Sequence, residues 1–201
     1  MDPVRLEEFA ALRATIRERG TARVWLCWAG IVGWATLVVA ETAIGMLPVV
    51  SLVPLLVLAA TFEGVYALHT GVERIGRYVQ VAFEEEARPD APTLPWETAA
   101  MAFGRIFPSG GSDPLFVGLF LGATLLNLVP AALAGPMPIE IAVIGGVHLL
   151  FVVRVLRGRT RAAGQRGRDL ERFRTLAREH AAAVAGRSRA GDASEQPPSE
   201  R

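Results

Sequence analysis

The chain has no lysine: all 21 of its basic residues are arginine. Its positive charge is therefore guanidinium, which forms two-point contacts with phosphate and carboxylate more readily than an ammonium group does. Cysteine is almost as scarce. The single thiol, Cys27, excludes an intramolecular disulfide, and its apolar run lacks the polar, positive setting of a reactive thiol. Catalytic patterns are missing too: there is no CxxC, no HExxH and no ordered Ser, His and Asp set. The stretch Ser109-Gly-Gly-Ser112-Asp113 precedes a helix, but without a lysine at the right spacing it reads as a turn and not as a phosphate loop. An enzyme is therefore not expected, nor a cofactor or a metal site.

What is present is segregated. Hydrophobic residues make up 51% of the 201 positions and charged residues 20%, and the two occupy different stretches. The apolar residues lie in two blocks, Arg23–His69 and Leu115–Arg154. Each divides at a turn into two runs. Val24–Ile44, about 21 residues, is a first span, long enough for ~30 Å of hydrocarbon. Gly45–Pro48 turns the chain into a second span, Pro48–Leu68, with a bend expected at Pro54. Leu115–Ala134 is a third span, Gly135–Pro138 a turn, and Ile139–Leu156 a fourth. The fold class is thus all-α: a polytopic membrane protein whose four transmembrane helices form two hairpins (residues 24–68 and 115–156), with amphipathic cytoplasmic helices. Val38-Val39-Ala40 before Glu41 imitates a signal cleavage site. The acidic residues upstream and the length of the apolar run predict an uncleaved span instead.

Outside the spans the apolar spacing becomes helical and narrow. Residues 1–23 begin with Asp2-Pro3, a capping residue and a first-turn proline, and carry Leu6, Phe9, Leu12 and Ile16 on one side, ending near Gly20. Residues 69–114 form a connection: a continuation of the second helix with Val72, Ile75, Val79 and Phe83, a proline-rich linker at 88–95, and a short helix at 96–107 suited to the interface. Residues 157–187 predict an arginine-rich helix, and 188–201 a disordered tail.

Arginine placement sets the expected orientation. The turns at 41–49 and 135–140 hold none, whereas the amino-terminal segment holds five, the middle connection four and the tail from Arg154 twelve. Basic residues stay on the cytoplasmic side, so both termini are expected there, in the cell (inner) membrane.

Ionisable groups at membrane depth are the first functional candidates because each costs at least ~2.5 kcal/mol near the bilayer centre. Glu63 and His148 each lie six residues inside the arginine-flanked boundary, about 9 Å deep. The expectation is a shared hydrogen bond or proton, joined by Asn127. A second candidate is the polar strip where the second span leaves the membrane, comprising His69, Glu73, Arg74, Arg77 and Tyr78, which reads as a seam against the 96–107 segment or a partner. Helical spacing spreads Glu63, His69 and Glu73 too widely for a shared metal. Arg154, Arg157, Arg159 and Arg161 are candidates for anionic headgroups; without aromatic platforms the tail is not expected to bind nucleic acid. The leading functional expectation is an accessory or scaffolding subunit engaging another membrane protein. The rival is a small oligomeric transporter or channel using Glu63, Asn127 and His148.

Overall fold

The computed structural model describes residues 2–45, 47–85, 95–106 and 113–194. Among these residues the secondary structure is entirely helical. Four helices are long and apolar enough to cross a membrane.

Helix α1 runs unbroken from Pro3 to Ile44, over 42 residues. Asp2 is extended ahead of it, Pro3 fills the first turn, and Gly45 closes it in the left-handed conformation (φ +67°), its N–H donating to the Glu41 carbonyl. The expected stop near Gly20 does not occur. An interior glycine costs only about 1 kcal/mol, and the helix before it is held by tertiary contacts. Arg5 donates to the Ala82 carbonyl at 2.5 Å, Tyr78 donates to Glu8 at 2.9 Å, and the rings of Phe9 and Phe83 lie 5.4 Å apart.

A 3-10 turn at Pro48–Ser51 leads into α2, Leu52–Val79, which ends in a π-helical turn at Gln80–Glu85. The change of helix type falls ahead of Pro54. The proline therefore sits in the first turn of α2, where its missing N–H has no intrahelical acceptor to lose. Helices α1 and α2 run antiparallel and touch closely. A methyl group built on Gly30 would run into the Thr61 side chain, and one on Gly64 would lie 2.6 Å from Leu26.

Helix α3 spans Trp96–Ile106 and α4 spans Asp113–Leu126; α5, Leu128–Leu133, is a single short segment after a break at Asn127. The expected third span is present as Phe116–Leu133, with a one-residue interruption of its helix at Asn127. Pro130 supplies the reason: it cannot donate to the Leu126 carbonyl, and its ring crowds that carbonyl. Helix α6 runs from Pro138 to Ser194, 57 residues without interruption. The sequence reading divided it at Leu156 and ended helix at residue 187, yet residues 188–194 are helical. The strong helix formers of residues 177–190 extend the helix to that point, and no proline intervenes before Pro197. The rest of the expected disordered tail, 195–201, and the linker at 88–94 lie outside the described residues.

The core draws on four helices: Trp34 of α1, Leu55, Leu58 and Phe62 of α2, Phe120 and Ala123 of α4, and Phe151 and Val155 of α6. Phe62 anchors it edge-on to Phe120 (5.3 Å) and Phe151 (5.9 Å), a geometry worth about 1 kcal/mol per pair beyond burial. The outside is apolar as well: Val32, Leu56, Leu125 and Leu150 are all more than half exposed. Apolar surface on both faces of a helix suits hydrocarbon surroundings and not water.

Candidate functional site

Deep in the bundle, Asn127 is fully buried, with Trp34, Ser51 and His148 around it. The indole N–H of Trp34 can only donate, and it donates to Asn127 Oδ1 at 3.0 Å. That orients the amide, whose Nδ2 reaches the Ser51 carbonyl at 2.8 Å and His148 Nε2 at 3.0 Å. His148 Nε2 therefore accepts. Its Nδ1–H is left to donate to the Ile144 carbonyl at 2.8 Å, which makes the ring a neutral imidazole. One side-chain amide thus ties α1, the 3-10 turn, the α4–α5 break and α6. Its three bonds satisfy groups that would be costly to leave bare in hydrocarbon. Thr124, buried beside it, is satisfied by the Phe120 carbonyl at 2.6 Å.

Glu63 is not part of this cluster. Its carboxylate pairs with Arg154 at 2.6 Å on a half-exposed face, where the guanidinium also lies over the rings of Phe62 (5.4 Å) and Tyr66 (5.0 Å). Both His148 nitrogens are engaged elsewhere, so the expected Glu63–His148 hydrogen bond is absent. Equal depth on two helices does not fix their rotation, and Glu63 faces away from the core. Of the three intramembrane candidates, the structure joins Asn127 to His148 only.

The polar strip gathers at the arginine-rich end. Arg77 is buried, 6% exposed. It donates to Gln80 (2.9 Å) and Met101 Sδ (2.7 Å) and lies 3.7 Å from Glu97 and 4.0 Å from Glu73. Glu97 also pairs with Arg13 of α1 at 2.8 Å. Glu84 caps α3, accepting from the backbone N–H of Glu97 (2.8 Å) and Thr98 (2.9 Å). Glu73 pairs with Arg166 at 3.0 Å and Arg74 with Asp169 at 3.5 Å, while Tyr78 packs on Phe173 with ring centroids 5.6 Å apart. Glu85 takes Arg174 in a two-point contact at 2.6 and 3.0 Å. The strip is therefore a seam that binds α1, α2, α3 and α6 to one another. Burial of Arg77 is tolerable because carboxylates surround it.

His69 accepts from Arg23 Nη1 at 2.9 Å. Glu63, His69 and Glu73 thus each answer a different arginine. Among the described residues no cluster of three His, Cys, Asp or Glu side chains could hold a metal ion. Of the four arginines singled out for headgroups, Arg154 is committed to Glu63, while Arg157, Arg159 and Arg161 are exposed.

Sequence reasoning missed Trp34, Glu84, Glu97 and Arg13. Trp34 carried a usable signal: it lies ten residues, about 15 Å, beyond Val24 at the start of the first span, where an indole N–H needs a partner. Compared with known protein families, curated proteins and solved structures, the chain matches none.

Proposed function

We propose that the chain is a multi-pass protein of the cell (inner) membrane, built as two hairpins of one orientation with both termini cytoplasmic. Its role in this reading is that of an accessory or scaffolding subunit for another membrane protein. The observation that carries the reading is the exposed length of α6. The contacts of this helix with the seam reach Phe173 and Arg174, yet Leu176–Arg187 is helical and exposed throughout. At 1.5 Å per residue that stretch extends about 18 Å. It carries Leu176 (58% exposed) among alanines and arginines, a surface suited to a helical partner.

Two further features support this reading over the transporter alternative. The deep polar cluster is closed on itself, with Asn127 0% and His148 3% exposed, and offers no unpaired group to a passing solute. Glu63, the one charged candidate at depth, is neutralised by Arg154 on the outer face. A pathway would have to form between copies, away from both groups. The one-sided arginine distribution supports the orientation.

The test is mass spectrometry of a tagged copy purified in mild detergent from its native membrane, beside a copy lacking residues 176–201. A stoichiometric membrane-protein partner that the truncation loses is the expected result. A homo-oligomer with no partner, unchanged by truncation, overturns the subunit reading.

A further inference from the structure

The geometry points to a binding site for one anionic phospholipid in the cleft between α2, α4 and α6 at the arginine-rich end of the bundle. The cleft is an open groove with about 70 Å³ of space for solvent-sized groups. Its inner wall is apolar, formed by Phe62, Val65, Phe120 and Val155. Arg23, His69 and Arg159 stand at its mouth. From Phe62 to His69 the wall rises seven residues, about 10 Å of helix, which matches the first several methylene groups of an acyl chain.

Charge decides the occupant. The acidic groups nearest this end already have cations: Glu63 has Arg154, Glu73 has Arg166 and Asp169 has Arg74. Arg23 and Arg159 have no carboxylate partner among the described residues. Arg23 donates through Nη1 to His69, lies 5.7 Å from the ring centroid of Phe116, and leaves its buried Nε unpartnered. The mouth therefore carries two uncompensated guanidinium groups above an apolar wall. Free phosphate would answer the cations and leave the wall bare. A zwitterionic lipid would bring its own cation beside Arg23 and Arg159. An anionic phospholipid satisfies both halves, its phosphate taking guanidinium hydrogen bonds and its chain covering the wall.

The inference rests on the proposed orientation only for which leaflet supplies the lipid. Retention in detergent is independent of orientation, so a failure of one does not imply a failure of the other. The full-length protein is purified in nonionic detergent, given an equimolar mixture of phosphatidylglycerol and phosphatidylcholine, and read by native mass spectrometry. The expected result is one tightly held phosphatidylglycerol, preferred over phosphatidylcholine by about tenfold. Arg23→Gln with Arg159→Gln abolishes the preference. Ala162→Trp, which fills the cleft with both charges intact, displaces the lipid, and Arg161→Gln outside the cleft leaves it bound. Circular dichroism and elution volume identify any variant that fails to fold, and the wild-type comparison of the two lipids stands without the variants. Equal retention of phosphatidylcholine overturns the site. So does a loss with Arg161→Gln as large as with the double variant, which would mean diffuse surface charge. Displacement of the lipid by inorganic phosphate alone, or indifference to Ala162→Trp, overturns the acyl half of the site.

Discussion

Asn127 is the only asparagine in the chain, and its side chain satisfies three partners at once. Asn127→Ala strands the Trp34 N–H, the Ser51 carbonyl and His148 Nε2 and leaves a small void. Hydrogen bonds inside membrane proteins average about 0.6 kcal/mol each, and stranded buried groups cost about 1–3 kcal/mol more. A loss of about 2–3 kcal/mol is expected in reversible unfolding by sodium dodecyl sulfate in mixed micelles. Trp34→Phe, which removes the donor and replaces indole by a smaller aromatic ring, costs about 1–2 kcal/mol. Glu63→Gln breaks a half-exposed ion pair and moves stability by less than about 1 kcal/mol. If Glu63→Gln costs as much as Asn127→Ala, the ranking of the two sites is wrong. Depth made Asn127 and His148 legible in the sequence, because a polar group in hydrocarbon needs a reason to be there. Their partners were not legible: a hydrogen bond from Trp34 depends on which face of α1 turns inward, and periodicity is silent on that in a helix apolar all round.

The four apolar spans were legible in number and approximate place, because four long apolar runs have few alternatives. Their ends were less so. Gly20 and the residues after 187 look like stops by propensity, yet tertiary contacts and strong helix formers carry α1 and α6 through them. The seam was partly legible: the strip from His69 to Tyr78 stood out, but Glu84 and Glu97 became meaningful only once α3 folded back onto it. The close packing of α1 on α2 was not legible at all. It depends on Gly30 facing Thr61 and Gly64 facing Leu26, pairs that no single-chain pattern reveals. Gly30→Ala puts a methyl group into the Thr61 side chain, which is stiff at χ1 and bonded to the Val57 carbonyl at 2.8 Å. A cost of about 1–3 kcal/mol is expected. Thr61→Gly in the same chain recovers at least half of it, a coupling that a double-mutant cycle in the same unfolding assay measures. Independent, additive effects would mean that the two helices do not meet at this point.

At the scale of the whole molecule, the seam and the projecting helix α6 make sense together only if they share one aqueous compartment. The seam collects arginines from α1, α2 and α6, and these pair with acidic groups of α2, α3 and α6. The opposite end of the bundle holds Glu41 and Glu140 and no arginine between residues 24 and 73 or between 106 and 153. Moving the arginine-rich end across a bilayer would drag many guanidinium groups through hydrocarbon at about 2.5 kcal/mol or more each. The proposed orientation, with the turn at 135–137 outside and α6 inside, is the one this charge distribution favours. Membrane-impermeant maleimide labelling of intact cells checks it. In a Cys27→Ala background, Met137→Cys is expected to label at once and Arg187→Cys only after permeabilisation. Both positions are exposed in the fold, so a difference between them reports the membrane and not burial. Labelling of Arg187→Cys in intact cells would reverse the orientation and move any partner of α6 to the outer face. The core, the seam and the cleft would stand as described, because none of their contacts depends on which side faces the cytoplasm.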